Sequence, residues 1–318
     1  MSEENKKKLN EQLVRCVLDD KLSNDKKIRK IDYIVKLSGD INAECGLGYS
    51  LLSLAKMMQN DELVNFLEEK GAKDTDFDSE KAEKFFKTAS VAEMNDVLKV
   101  LPDDYILMCD VDLRGRGLPE LPNFSKIIAG GKFFCGSNNL ETLKGAPKIV
   151  MEEFNCFACG LVSLKGGPKL VGRDYVVMYN NLTSLEGAPI KCGGDFICSI
   201  NKLTTLKGAP IDVGGCFNCA GNKLEILEYA PKKVNGMVDC SNNELISLKG
   251  VTRVVGGDFD CSNNDKIESL EGAPDKVYGD FNCSKCKMLK SLKGKPEFIE
   301  GEFIGNDMNN VIVNSYSR

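Results

Sequence analysis

The stretch GGDFICSINKLTTLKGAP, residues 193 to 210, recurs with small changes along most of the chain. Eight copies align on a cysteine column with steps of 21 residues, and of 22 at the last step. An aromatic column stands two positions earlier, so apolar residues alternate as in a short strand. The cysteine column consists of Cys135, Cys156, Val177, Cys198, Cys219, Cys240, Cys261 and Cys283. The aromatic column consists of Phe133, Phe154, Tyr175, Phe196, Phe217, Val238, Phe259 and Phe281. This periodicity predicts a solenoid of stacked units.

Each copy continues with an asparagine column, as at Asn201, and with two leucine columns, as at Leu203 and Leu206. We predict one strand of three to five residues per coil, stacked in parallel at about 4.8 Å. The asparagines should turn inward and satisfy backbone groups where the chain bends. Glycine pairs such as Gly193-Gly194 are expected to allow positive φ before the strand.

The pattern F-x-C-S-x-N-x-L-x-S-L-x-G-A-P resembles the leucine-rich repeat. It is most similar to the short bacterial kind found in secreted effectors, and to repeats in bacterial and phage reading frames. The resemblance covers residues 105–310, from VDLRGRGLPELP to a degenerate coil centred on Phe303. It implies an α+β solenoid of about ten coils with a parallel β-sheet on its concave face.

Residues 1–104 have helical spacing and few glycines. Residues 48–55, GYSLLSLA, stand where an ankyrin repeat has G-x-T-P-L-H-x-A. Residues 39–73 therefore resemble an ankyrin repeat, within an ankyrin-like segment of about 31–73. Asp61 is expected to cap its second helix, and Ser90 with Glu93 forms a capping box before another. We predict that this helical domain caps the first coil, with a second binding surface as the alternative. Residues 311–318 are predicted to be a C-terminal tail.

Composition excludes several classes of function. The net charge of −5 shows no excess of lysine and arginine of the kind that binds nucleic acid. Neither a signal peptide nor an apolar run of membrane-spanning length is evident, so we predict a cytoplasmic protein with no membrane partner. The chain contains no histidine, which excludes Ser-His-Asp, Cys-His and His-ligated zinc mechanisms. We therefore expect no enzyme activity.

The 14 cysteines are expected to be free thiols in a reducing compartment. Three pairs have zinc-knuckle spacing, namely Cys156-Cys159, Cys216-Cys219 and Cys283-Cys286. The repeat already accounts for this spacing, so cysteine is interpreted as a small core hydrophobe, with no metal and no cofactor. Cys216 stands in a column that also holds Asp174, Asp195, Asp258 and Asp280, which makes it the candidate exposed thiol.

Strand residues that flank the two inward columns should face outward. Their apolar members in the early coils are Phe134, Phe157, Val176, Met178, Tyr179, Ile197 and Ile200. Acidic members in the later coils are Asp239, Asp258, Asp260 and Asp280. Seven large apolar side chains would expose several hundred Å², about the size of a contact patch. These residues are the candidate partner-binding site.

These observations predict a non-enzymatic module that binds a partner protein through the concave face. The resemblance implies a bacterial or phage effector, or an inhibitor of a host protein. One alternative is a homo-oligomeric scaffold that uses the same apolar patch. Another is a carboxylate-dependent hydrolase using Asp258, Asp260 and Asp280, which the recurrence of that column disfavours.

Overall fold

A computed structural model describes residues 2–305 of this chain. These residues form six helices and, after them in the sequence, a parallel β-solenoid of about ten coils. The last predicted repeat residues, 306–310, and the predicted tail, 311–318, lie outside the described part. Contacts divide the chain into two compact units: Met1–Asp112 with Pro122–Gly130, and Leu113–Leu121 with Gly131–Arg318.

The first unit holds the six helices and three strands. The helices are α1 (Glu3–Leu18), α2 (Asn24–Lys36), α3 (Leu51–Met57), α4 (Asp61–Glu69), α5 (Ser79–Thr88) and α6 (Val91–Val100). The strands are β1 (Tyr105–Leu107), β2 (Val111–Asp112) and β3 (Ile127–Ala129). Strands β1 and β3 pair in parallel.

Side-chain caps fix the helix starts. The capping box of Ser90 and Glu93 is confirmed at α6. The cap predicted at Asp61 is wrong by one residue, because the Oδ1 atom of Asn60 accepts from the backbone N–H of Leu63 at 3.1 Å. Leu63 and Leu67 are buried on the apolar face of α4.

The second unit contains two parallel sheets. The first sheet holds β5 (Ile149–Val150), β7 (Leu170–Val171), β9 (Lys191–Cys192), β11 (Asp212–Val213), β13 (Lys233–Val234), β15 (Val254–Val255), β17 (Lys276–Val277) and β19 (Phe298–Ile299). The second sheet holds β4 (Phe133–Phe134), β6 (Phe154–Asn155), β8 (Tyr175–Val176), β10 (Phe196–Ile197), β12 (Phe217–Asn218), β14 (Val238–Asp239), β16 (Phe259–Asp260), β18 (Phe281–Asn282) and β20 (Phe303–Ile304). Strands of each sheet pair with their equivalents one coil away.

The prediction of one strand of three to five residues per coil is therefore wrong. Each coil carries two strands, and those of the second unit are two residues long. The additional strand comes from the column of Val171, Cys192 and Val213, whose side chains are buried. Glycine-rich residues separate it from the strand that begins at Phe196.

The inward aromatic and cysteine columns are confirmed. Phe196 pairs in register with Tyr175 and Phe217, and its ring stacks on theirs with centroids 5.2 and 5.9 Å apart. Cys198 and its equivalents in the column are also buried. Each coil alone would leave these side chains in water, so the core exists only when the coils stack.

The asparagine column bonds the coils to one another, as predicted. The Oδ1 atom of Asn201 accepts from the backbone N–H of Leu182 in the preceding coil at 3.0 Å. Its Nδ2 atom donates to the carbonyl oxygens of Val177, one coil back, and of Cys198, in its own coil. Asn222, Asn243 and Asn264 repeat this arrangement in the coils that follow. One buried amide thus satisfies backbone groups of two coils.

The reason predicted for the glycine pairs is wrong. Neither Gly193 nor Gly194 has positive φ. A Cβ atom on Gly193 would lie 1.9 Å from the carbonyl oxygen of Gly172, and one on Gly194 would lie 2.1 Å from Oδ1 of Asp174. The close approach of successive coils therefore leaves no room for a side chain at Gly193 or Gly194 unless the neighbouring coil shifts. Positive φ occurs instead at the Gly-Ala-Pro corner, as at Gly208 with +93°.

The aromatic column contains one polar atom that lacks a partner. The hydroxyl of Tyr175 is buried and forms no hydrogen bond within the described part of the chain. We expect Tyr175→Phe to raise the free energy of unfolding by about 1–3 kcal/mol, because it removes a desolvated hydroxyl. Urea denaturation monitored by circular dichroism measures the change.

The matched control is Phe196→Tyr, which places a hydroxyl in the next member of the same column. It should lower the free energy of unfolding by a similar amount. Equal stability of Tyr175→Phe and the unmodified protein would show that the hydroxyl has a partner in solution.

Candidate interaction face

The candidate site lies on the outward side of the second sheet. Its side chains belong to three positions of each coil: one before the cysteine column, and one and two after it. We call this surface the outer face. Because the aromatic and cysteine columns are buried, the alternating residues between and after them point away from the core.

The predicted apolar residues differ in their exposure. Phe157, Tyr179 and Ile200 are exposed, with 37%, 50% and 42% of their surface accessible. Phe134, Met178 and Ile197 are half-buried, and Val176 is buried. The exposed apolar area is therefore concentrated in three residues rather than spread over seven.

Those three exposed residues lie in three successive coils, and we call them the apolar stripe. The rings of Phe157 and Tyr179 meet edge to face, with centroids 5.5 Å apart and an interplanar angle of 80°. Ile200 occupies the position of Tyr179 one coil further along. Gly221, in the next coil, ends the row because it has no side chain.

The backbone under two members of the stripe is left-handed. Tyr179 has φ of +56° and Ile200 has φ of +53°. The equivalent residues of the other coils are also left-handed: Gly221, Asn242 and Asn263, which tolerate this conformation, and Ser137, Ala158 and Lys285, which tolerate it less well. An L-residue in the left-handed region costs about 1–2 kcal/mol, and a β-branched residue is a clear outlier. Sequence reasoning missed this strain, although the Gly and Asn residues of the column signal it.

The acidic residues of the outer face are held by neutral donors. The Oδ1 atom of Asp239 accepts from the backbone N–H of Ser241 at 3.0 Å, and its Oδ2 from Nδ2 of Asn218 at 3.2 Å. Asp260 has the equivalent contacts with Ser262 and Asn282. Within residues 2–305 neither carboxylate pairs with a lysine or arginine. Both therefore contribute oriented negative charge.

Asp258 and Asp280 have a different role in the coils. Their Oδ1 atoms accept from the backbone N–H groups of Asp280 and Glu302, at 2.9 and 2.8 Å. Asp174 bonds to the N–H of Asp195 in the same way. This repeated contact links successive coils, which favours a scaffold role for the column over paired catalytic carboxylates.

The other end of the outer face carries cations. The guanidinium carbon of Arg114 lies 4.7 Å from the ring centre of Phe134, and Nζ of Lys132 lies 5.9 Å from it. Both distances fit cation–π contacts. Phe134 is consequently half-covered.

The cysteines behave as core residues. Thirteen are buried, and Cys216 is half-buried. The Sγ atom of Cys159 takes the place of an asparagine amide, donating to the carbonyl oxygen of Cys135 at 3.1 Å. Burial raises the pKa of Cys192 to about 12, so that thiol stays protonated near neutral pH. No cluster of potential metal ligands occurs among the described residues.

Among the described residues, each unit also carries a groove away from the outer face. A groove of about 730 Å³ in the first unit is lined by α1, α5 and α6, including Lys84, Phe85 and Glu93. A groove of about 540 Å³ follows the first sheet, past Gly193 and a Lys191–Asp212 pair with 3.3 Å between Nζ and Oδ2. Both are rimmed by charges of both signs, which gives no preference for a ligand.

No protein-family model, curated protein or solved structure matches this chain. Over the described residues, no helix combines the length and apolar character needed to cross a bilayer.

Cys216 provides a test of the thiol assignments. Partial burial raises its pKa above the ordinary 9.0, and the nearby Asp195 carboxylate acts in the same direction. We expect iodoacetamide at pH 8 to modify Cys216 first, more slowly than a free thiol, with a rate still rising above pH 9. Mass spectrometry after proteolysis identifies the modified site, and Cys216→Ser should remove it. Faster modification of Cys156 or Cys159 would contradict the buried assignment.

Proposed function

We propose that this protein is a non-enzymatic interaction module that binds a partner protein through the outer face. The observation that carries this proposal is the apolar stripe of Phe157, Tyr179 and Ile200. Tyr179 and Ile200 have a left-handed backbone, a conformation that costs less free energy for Gly or Asn. Other coils place Ser, Ala, Gly, Asn or Lys at this left-handed position, so a large exposed apolar side chain there favours a role in binding over a role in folding.

The repeat identity belongs to the same proposal. The buried leucine columns and the asparagine ladder support a variant of the leucine-rich repeat, with the outer face on its concave side. In the first unit, helices α3 and α4 follow a bridge between Glu44 and Ser50, an order that supports an ankyrin-like repeat. Resemblance to repeats of bacterial and phage effectors favours a cytoplasmic effector or inhibitor of a host protein.

The charges suggest how a partner is oriented. Asp239 and Asp260 lie beyond the end of the stripe at Ile200, and their charge would attract a basic region beside the partner's apolar contact. Charges at a rim mainly raise association rates, whereas buried apolar anchors supply most of the affinity. We therefore expect the stripe to determine dissociation and the acidic end to determine the salt dependence of association.

The test replaces both strained residues with asparagine, Tyr179→Asn together with Ile200→Asn. This variant should unfold at an equal or higher urea concentration, because asparagine tolerates the left-handed backbone. It should nevertheless lose the partner in quantitative affinity capture from a lysate of host cells.

The matched control is Tyr229→Asn. Tyr229 is also exposed, at 55%, and also left-handed, with φ of +68°, but it lies at the Gly-Ala-Pro corner away from the outer face. This control should gain stability in the same way and keep the partner. If the double variant and the unmodified protein captured the same partner equally well, the apolar stripe would not be the binding site.

A further inference from the structure

We propose that the row of residues leading into the first sheet binds the surface of a bilayer that contains anionic lipids. This row belongs to the first sheet and the outer face to the second, so the inference goes beyond the proposed function and does not depend on it. Its members follow the Gly-Ala-Pro corner of each coil, and we call them the basic ridge. They are Lys148, Lys169, Ile190, Ile211, Lys232 and Arg253.

Backbone contacts make the ridge continuous. The N–H of Lys169 donates to the carbonyl oxygen of Lys148 at 2.8 Å, and the N–H of Ile190 donates to that of Lys169 at 3.2 Å. The same contact joins Ile211 to Ile190 at 3.0 Å and Lys232 to Ile211 at 2.8 Å. Five steps of about 4.8 Å give the ridge a length of about 24 Å.

The middle of the ridge is apolar and exposed. Ile190 has 57% of its surface accessible, and Ile211 has 50%. Leu170, which follows Lys169 in the chain, is exposed at 47%. Aliphatic side chains thus reach solvent from three successive coils.

Lysines flank these aliphatic residues on both sides. Lys148 and Lys169 precede them, and Lys232 with its neighbour Lys233 follows them. Within residues 2–305 none of these four ammonium groups forms an ion pair with a carboxylate. Lysines elsewhere in the solenoid do pair with a carboxylate one coil back, and examples are Lys207–Glu186, Lys266–Glu244 and Lys287–Asp265.

Nearby carboxylates leave this charge largely uncompensated. Asp212 pairs with Lys191 at 3.3 Å, and Asp275 pairs with Arg253 at 2.6 Å. Glu228 lies at the corner that precedes Lys232, and in the described part of the chain it has no ion pair, yet the four lysines outnumber it. A chain with a net charge of −5 therefore carries a local excess of positive charge along this row.

The chemistry of the ridge fits lipid headgroups better than it fits a protein or a nucleic acid. Lysine is a flexible point charge that is depleted from protein interfaces, whereas a fluid layer of anionic headgroups attracts it without a fixed geometry. Aliphatic side chains between the lysines can enter the boundary between headgroups and acyl chains. Stacking of nucleic acid bases needs aromatic side chains, and the ridge contains none.

The expectation of no membrane partner came from the lack of an apolar run long enough to span a bilayer. Contact with the surface of a bilayer needs no such run. The ridge would hold the protein at an anionic surface and leave the outer face available for its partner.

The experiment measures sedimentation of the full chain with lipid vesicles. One set contains phosphatidylcholine with about 30% phosphatidylserine, and the other contains phosphatidylcholine alone. We expect binding to the anionic set to be at least about tenfold tighter. It should weaken as salt rises, because the lysine charges are screened.

The charge variant carries Lys148→Gln, Lys169→Gln, Lys232→Gln and Lys233→Gln. A lysine near an anionic surface contributes about fivefold, so the loss of four should weaken binding at least about a hundredfold.

The matched control removes four exposed lysines from the turn after the asparagine column, with Lys202→Gln, Lys223→Gln, Lys266→Gln and Lys287→Gln. It lowers the net charge equally, and binding should change by less than about fivefold.

A second variant, Ile190→Ser with Ile211→Ser, separates apolar insertion from charge attraction. It should weaken binding by about tenfold or more at every salt concentration, because two aliphatic side chains no longer leave water. The salt dependence should stay the same, because all the lysines remain.

Circular dichroism melting checks that each variant folds. If the charge variant does not fold, Lys148→Gln with Lys169→Gln replaces it, with an expected loss of about 25-fold. Absence of binding to the anionic vesicles at low salt, or an equal loss in the charge variant and its control, would overturn the proposal. Binding of heparin or poly-glutamate through the ridge by a protein that ignores the vesicles would also overturn it, because the ligand would then be a soluble polyanion.

Discussion

Each coil rests on the backbone of the coil before it, at the strand spacing of about 4.8 Å. Every column must therefore tolerate its own equivalent as a neighbour. Phenylalanine satisfies this condition by stacking its rings, as Phe196 does on Tyr175. Asparagine satisfies it by bonding to both coils, and glycine by having no Cβ atom to collide with the carbonyl below. The repetition of the sequence follows from this single constraint.

The same constraint separates fixed positions from variable ones. Inward columns and corners are repeated because a change there would affect two neighbouring coils. The outward residues between Phe196 and Asn201 project from the sheet and are not packed in the core. Their residue types therefore differ from coil to coil. The chemistry that distinguishes this solenoid is consequently concentrated on the outer face, with the apolar stripe in its middle coils and the carboxylates of Asp239 and Asp260 in its later coils.

Much of this fold could be predicted from spacing alone. Alternation identified the buried columns, and the position of Asn201 after a strand identified its backbone contacts. Spacing could not distinguish two reasons for the presence of a glycine. At Gly193 a Cβ atom would collide with the backbone of the preceding coil, whereas at Gly208 the backbone has a positive φ. It also could not identify the strand at Val213, because two residues are too few to show a period.

Exposure on the outer face was predicted less well than burial in the core. Alternation indicates which side of a strand a residue occupies, but its neighbours decide how much of it reaches solvent. Val176 is covered although it points outward, and Phe134 is covered in part by Arg114 and Lys132. The left-handed backbone at Ile200 is a property of the turn after the strand, which apolar patterning does not report.

Hydroxyl-radical footprinting tests the central claim most directly, because a register shift of one residue would exchange the two sides of each strand. In two successive coils, Phe157 and Tyr179 are exposed while Phe154 and Tyr175 are fully buried. The folded protein is exposed to the radicals in dilute solution, and the oxidised residues are then identified by mass spectrometry. Phe157 and Tyr179 should be oxidised rapidly, whereas Phe154 and Tyr175 should be protected. Equal oxidation of the four rings, or protection of Phe157 and Tyr179 instead, would contradict the account.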